Sequence, residues 1–358
     1  MEENKKNKIP NVPNLRFSGF EPNYQKTKIG KCLKIKSGQD QKNVCCENGK
    51  YNIYGTGGVI GTTNTFLYDK ESVGIGRKGT IDKPFYFDEP FWTVDTLFYS
   101  VINKGFSPKY IYYLFQTINW KKYNSSTGVP SLTSSTIESI DVYITSLKEQ
   151  CKIAEFLTLI DVRIDTQNKI IKELETYKSA IENMIFKSIN FPLFAIGDLC
   201  KITTGKLDAN ATVSGGMYRF YTCAANYTYI DKYAFDCDAV LISGNGANVG
   251  YVHQYNGKFN AYQRTYVLYD FANITSTYLR FFLEKYLKQR INSEKNNGNT
   301  PYIRLETISK MKIGVPDQNK QNLIVNALLA ITSKIDNEQK LLENFYNQKR
   351  FLLANLFI

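Results

Sequence analysis

Ser146-Leu-Lys-Glu-Gln-Cys-Lys-Ile153 opens a stretch in which Ile153, Leu157, Ile160, Ile164, Ile171, Leu174, Ile181 and Ile185 stand at alternating spacings of four and three. That is the apolar seam of a long helix packed on another helix. The seam recurs: adding 171 gives Ile324, Leu328, Ile331, Ile335, Leu342, Phe345 and Leu352. Both copies interrupt it at the same rungs, Gln167 with Glu338 and Lys178 with Lys349, a pattern that sets register at some cost in stability. Ser146 with Glu149 three residues later fits a capping box, and Asp317 is the matching cap, although Lys320 stands where a glutamate would complete the box. Phe191-Pro192 closes the first run. A helix from Ser146 to Asn190 spans about 65 Å at ~1.5 Å per residue, more than a compact domain needs. Two such helices, each leaving one domain and heading toward the other, are expected to pack antiparallel as a spacer.

The repeat extends beyond the helices. Ile29-Gly30 and Ile196-Gly197 lie 167 apart, as do Gly38 and Gly205, Tyr51 and Tyr218, Tyr54 and Tyr221, and Gly79 and Gly246. Tyr110 matches Tyr278 at 168, Gly128 matches Gly298 at 170, and Pro130 and Leu132 match Pro301 and Ile303 at 171. Self-similarity at a fixed period decides architecture before any local reading. Each copy opens with short aromatic and Thr-rich runs punctuated by Gly and Asn, such as Lys50 to Gly58, which read as strands and turns. A helix follows, with Ser107-Pro108 as cap and first helical residue in the first copy. The expected fold is α+β: domains over residues 1–145 and 191–316, with helical spacers over 146–190 and 317–358.

Composition narrows the function. The 358 residues suit two domains of ordinary size. The chain has no apolar run of the ~18 residues a membrane span requires, and its Met-Glu-Glu-Asn-Lys-Lys start lacks the apolar core of a signal peptide, so a cytoplasmic protein is expected. Seven cysteines form no Cys-x-x-Cys pair and are expected to be buried reduced thiols. A single histidine, His253, leaves no histidine-based metal site or acid/base triad, and no cofactor is expected. The net charge of +12 divides into +6 over residues 1–145, 0 over 146–190, +5 over 191–316 and +1 over 317–358. Two basic bodies on neutral connectors suit a polyanion touched at two places.

The chain resembles the specificity subunit of a Type I restriction-modification system over nearly its whole length. The resemblance rests on Pro13-Asn-Leu-Arg-Phe-Ser-Gly-Phe20, Ile75-Gly-Arg-Lys-Gly-Thr80, Phe91-Trp-Thr-Val-Asp95, Thr127-Gly-Val-Pro-Ser-Leu132, and the run from Ser146 through Ile153 into Leu159-Ile-Asp161 and Ile164-Asp165. The second copy keeps the proline loop loosely as Asn299-Thr-Pro-Tyr-Ile303 and lacks the Glu-Gln pair of Glu149-Gln150. The resemblance implies two target recognition domains that each read half of an interrupted sequence in double-stranded DNA. It also implies that the helices, through the heptad positions named above, hold the spacer and dock two methyltransferase subunits, with restriction and translocase subunits as further partners.

Gly74-Ile-Gly-Arg-Lys-Gly79 satisfies Gly-x-Gly-x-x-Gly, but a dinucleotide turn must open a helix, whereas Thr80 to Phe87 reads as an extended aromatic run containing Pro84. The segment suits DNA better. Its glycines permit close approach, Arg77 offers a guanine-reading fork, and Lys78 and Thr80 offer backbone contacts. A glycine-rich turn with solvated charges is the plainer reading of the same residues. Gly244-Asn-Gly246 brings an adenine-type reader, Asn245, to the matching place. Tyr54 with Thr56 and Gly57, and Tyr221 with Asn226, combine strand aromatics with polar loop tips, although tyrosines in strands commonly pack. Lys36, Gln39 and Lys42 in the first copy, and Thr204, Lys206, Asn210 and Arg264 in the second, complete the candidate DNA-binding set.

Neither the Asn-Pro-Pro-aromatic tetrad of an adenine methyltransferase nor a Gly-x-x-x-x-Gly-Lys-Ser/Thr loop occurs, so the chain is expected to be catalytically silent alone. Two rival readings stand beside this one. A glycine-loop nucleotide-binding enzyme would retain nucleotide or methyl donor in isolation. A scaffold or inhibitory homologue would pair with the methyltransferase yet bind all DNA alike.

Overall fold

The seam residues lie on two continuous helices in a computed structural model, Leu147–Phe186 and Gln318–Leu356. The structure describes residues 11–21, 23–188, 190–294 and 302–358; the repeat matches at Gly298 and Pro301 and the Asn299-Thr300 stretch lie outside them. The first helix ends at Phe186, short of Asn190, and Leu193–Ala195 forms a strand. At its start the Ser146 hydroxyl accepts from the Glu149 amide (3.4 Å), and at the second start an Asp317 oxygen accepts from the Lys320 amide (3.0 Å). The Glu149 carboxylate does not serve the box but takes a bidentate Arg16 at 2.8 Å and the Thr145 hydroxyl.

The chain folds as two compact units, one of residues Met1–Asn168 with Lys340–Ile358 and one of Lys169–Gln339. The division cuts both helices at equivalent places, just past the Gln167 and Glu338 rung. Each unit therefore owns the beginning of one long helix and the end of the other, which makes the pair antiparallel.

In the first unit, Ile153, Leu157, Ile160 and Ile164 join a core with Leu33, Val73, Phe98, Tyr110 and Leu114, and Leu352, Leu356 and Phe357 enter the same core. The segment Pro13–Phe20 staples these helix ends together. Arg16 pairs with Glu149, Phe17 meets Phe156 edge to face, and Leu15 and Asn14 bond Asn355. In the second unit, Phe186, Ile181 and Ile185 pack with Ile196, Val240, Leu268, Tyr278 and Leu283, together with Ile324 and Leu328. Ile171 and Ile335 are buried, and Leu174, Ile331, Leu342 and Phe345 half-buried. The seam thus serves both helix pairing and the domain cores.

The lysines that interrupt it are accommodated alike. Lys349 lies 5.6 Å from the Tyr113 ring centre and 2.7 Å from Asp161, and Lys178 lies 5.6 Å from the ring of Phe281, the counterpart of Tyr113.

A pair of glutamines ties each long helix to its domain. Gln150 Oε1 accepts from the amide of Ser107, the cap of helix Pro108–Thr117, and its Nε2 donates to the Thr145 carbonyl. Gln321, fully buried, accepts from the amide of Thr275, the cap of helix Ser276–Ser293, and donates to the Pro316 and Asn273 carbonyls. The second copy therefore keeps the glutamine of the Glu-Gln pair, with lysine replacing only the glutamate.

The sheets differ between units. The first unit has two four-stranded sheets, ordered Leu33–Ser37, Leu97–Ile102, Ser72–Gly76, Phe85–Phe87 and Cys45–Cys46, Gly58–Thr63, Tyr51–Gly55, Trp92–Thr93. In the second unit these merge into one six-stranded sheet, because Val252–Ala261 runs uninterrupted where Pro90 separates Phe85–Phe87 from Trp92–Thr93. Proline removes a ladder donor, so the strand ends there.

Candidate nucleic-acid interface

Loops scattered along the first copy meet on one side of its sheets. The Gln39 amide donates to the Thr93 carbonyl (2.8 Å), and the Val94 amide to that of Tyr54 (3.0 Å). Arg77 and Lys78 both donate to Thr96 (2.7 and 3.2 Å), Gly79 donates to Pro130 and Leu132 to Arg77 (2.9 Å each), and Lys78 bridges Ser131. Gly79 has φ +90°, and a Cβ there would stand 3.5 Å from the Thr56 hydroxyl, so the hairpin tip Thr56-Gly57 adjoins the glycine loop.

The second unit repeats this wiring. Tyr262 donates to Tyr221 (2.9 Å), Gly244 to Arg264 (2.9 Å), Ile303 to Gly244 (2.8 Å) and Gln263 to Leu207 (2.9 Å), while Asn245 bridges Tyr302. Shifts of 167, 168 and 171 map the first three of these contacts onto those of Val94, Arg77 and Leu132, and they pair Lys78 with Asn245 and Ser131 with Tyr302. Gly38 and Gly205 also correspond: a Cβ on either would lie within 2.1 Å of a carbonyl oxygen, on Val94 and Ala261 respectively. Only glycine lets these loops lie so close to the strand beneath.

On this shared backbone the side chains differ. Lys36, Gln39, Lys42 and Lys78 are exposed or nearly so, Arg77, Thr56 and Thr80 half-buried. The Arg77 guanidinium reaches the Asp95 carbonyl at 3.4 Å and lies 6.0 Å from the Phe98 ring centre. Lys206, Asn210, Asn226 and Arg264 are exposed or nearly so, and Thr204 and Asn245 half-buried. Asn245 stands where Lys78 does, and Arg77 has glycine for its counterpart. Tyr54 packs against Phe85 and Phe87, and Tyr221, 2% exposed, lies among Tyr227, His253, Tyr255 and Phe259. These two tyrosines support the loops from below.

Tyr302 is not conspicuous in the sequence, yet it is 53% exposed and accepts from Arg304 at 3.1 Å. The repeat carries the signal that could have found it, since Pro301 and Ile303 on either side of it have matches in the first copy. The Gly-x-Gly-x-x-Gly segment opens no helix: Ser72–Gly76 is a strand, and a Cβ on Gly74 would meet the Phe87 ring at 2.6 Å.

His253 is a packing residue, its Nε2 3.1 Å from the Ala224 carbonyl, and burial lowers its pKa. The cysteines depart from expectation, for Cys32 is buried but Cys45 and Cys151 are exposed. Burial pushes the Cys32 thiol up to about 11 and that of Cys200 to about 12. Among the described residues no cluster of three or more His, Cys, Asp or Glu suits a metal ion, and no helix is long and apolar enough to cross a membrane.

Residues 22–176 and 189–344 each match the family model of the Type I restriction modification DNA specificity domain. The chain belongs to this family. The two matches fall on the two copies of the repeat.

Among specificity subunits, the chain is 37% identical over 170 residues to that of the type I restriction enzyme EcoDI of Escherichia coli. That similarity covers 47% of this chain and 37% of the relative, so it spans little more than a third of that protein's length. The chain is 21% identical over 337 residues to a putative type I specificity subunit, S.MpnORF638P, of Mycoplasma pneumoniae, covering 84% of this chain and 87% of that one. The fold is that of the S subunit of a type I restriction-modification system from M. genitalium, with a TM-score of 0.71 at 17% identity over 97% of this chain and 99% of that one.

Proposed function

We propose that this chain reads a bipartite, interrupted DNA sequence and positions adenine-N6 methyltransferase subunits on it, as the specificity subunit of a Type I restriction-modification complex. The observation that carries the reading is the pair of loop clusters, wired by the same backbone hydrogen bonds but presenting different side chains. Two half-sites of different sequence require one scaffold twice and two sets of readers. In this reading residues 1–145 and 191–316 are the target recognition domains. Residues 146–190 and 317–358 are helical spacers whose length fixes the gap between half-sites.

The basic excess of each domain meets phosphates, while Arg77, Asn245, Arg264 and their neighbours reach base edges. Two modification subunits dock on the long helices, restriction and translocase subunits complete the assembly, and the complex works in the cytoplasm. The chain itself supplies recognition and no chemistry. Mapping methylated adenines in cells with and without the gene tests this: a two-part motif that disappears with the gene is expected. A methylome that does not change, with DNA binding that never exceeds the non-specific level, would overturn it.

A further inference from the structure

We infer that the hairpin Tyr51–Gly55 and Gly58–Thr63 recognises a thymine methyl group in one half-site, through Val59 and Ile60. The inference rests on the DNA-reading role proposed above and adds the chemical group that is read. Val59 and Ile60 follow the Thr56-Gly57 tip and are 55% and 54% exposed. The ladder places Ile53 opposite Gly61 and Tyr54 opposite Val59, so Ile60 is the extra residue of a bulge. Bulges re-aim side chains and recur beside functional sites. This one leaves two consecutive β-branched apolar side chains in solvent beside the loop cluster. A Cβ on Gly55 would meet Ile60 Cγ2 at 3.3 Å and Val94 Cγ2 at 3.9 Å, and the tip adjoins Gly79, next to Lys78 and Arg77.

An apolar pair flanked by cations suits the major groove. Phosphates take the cations, and the C5-methyl of thymine is the apolar group that base edges present there. The second unit has nothing similar at this place. A shift of 167 brings Asn226 and Tyr227 to these positions, and the Tyr227 ring is stacked on the Arg219 guanidinium at 4.3 Å. Methyl recognition by this pair therefore belongs to one half-site only.

The test replaces each thymine of the mapped target in turn with deoxyuridine, which deletes the methyl and nothing else. Binding and methylation are then measured with the full chain and the methyltransferase it positions. At one or two thymines of a single half-site, about a fourfold loss is expected, the size of one buried methyl group. The double variant Val59→Ser, Ile60→Ser, which leaves no methyl group at either position, should bind thymine and uracil duplexes alike while keeping the other half-site's preferences. Specific binding indifferent to every uracil substitution overturns the inference and leaves the proposed function standing. Binding that ignores sequence altogether removes both. A double variant that keeps its thymine preference but loses the methyltransferase overturns the inference in favour of a protein contact. Because the perturbation is made on the DNA, failure of a variant to fold leaves the test intact.

Discussion

Replacing Gln321 by leucine should loosen the joint between the second long helix and its domain far more than an ordinary glutamine substitution would. The side chain is fully buried and makes three hydrogen bonds, to the Thr275 amide (2.9 Å) and to the Asn273 and Pro316 carbonyls (2.8 and 2.9 Å). Leucine fills similar space and satisfies none of them. The three bonds contribute about 1 kcal/mol net each, and the stranded Thr275 amide costs a further 1–3 kcal/mol, so the loss should be about 4–6 kcal/mol. A chain of two units does not unfold in one step, so a single global free energy would blur the effect. Hydrogen exchange resolves it by place. The amides of Thr275, Tyr278 and Leu279, at the start of helix Ser276–Ser293, should exchange roughly a thousandfold to a few tens of thousandfold faster, with the first unit unchanged. Gln318→Leu, at an exposed position one turn earlier, should do almost nothing. Unchanged protection at Thr275 in the Gln321 variant would refute the reasoning.

Other outcomes follow from the same structure. The chain alone should bind DNA weakly and lose affinity steeply with salt, because its basic excess is split over two domains; titration at low and high salt giving equal affinity would sink the electrostatic part. Arg77→Ala should relax base preference in one half-site by roughly 1–3 kcal/mol, and uniform weakening on all sequences would make it a phosphate contact. Inserting seven residues after both Gln167 and Glu338 keeps each seam in phase and adds about 10.5 Å, so an active variant should methylate half-sites about three base pairs further apart; the old gap in its methylome would exclude a ruler. Burial lowers the pKa of His253 from its ordinary 6.5, so the unfolded chain takes up the proton first as pH falls. The second unit should keep full stability above about pH 6.5 and lose it on acidification, and thermal melts of His253→Gln should show a flatter acid limb.

Much of the architecture was legible because repetition is a long-range signal that survives local ambiguity. The 167 and 171 offsets, drawn from scattered Gly, Tyr and Ile, join residues with matching backbone hydrogen bonds. What escaped were features that depend on the third dimension. Gln321 is easily passed over because the charged member of the Glu-Gln pair draws the eye, whereas the carboxamide is the half that both copies share. Arg16 stands in a motif without its partner, since nothing in the sequence joins it to Glu149, 133 residues away. Tyr54 and Tyr221 stand in strands that lead to the candidate loops, but Tyr54 packs on Phe85 and Phe87, and Tyr221 is buried among Tyr227, His253, Tyr255 and Phe259. The first unit's sheet divides at Pro90, a residue whose effect emerges only beside the unbroken strand of the other copy.

The division of the long helices between units has a consequence for synthesis. The second unit holds every segment it needs by Gln339, whereas the core of the first stays open until Leu352, Leu356 and Phe357 have left the ribosome. The half made first is thus the half completed last. Throughout elongation its Tyr110 lacks the cover of Phe357, whose ring centre lies 5.1 Å from its own, and closing the core requires contacts across more than 240 residues of chain. Long-range closure of this kind is slow and leaves apolar surface open to association.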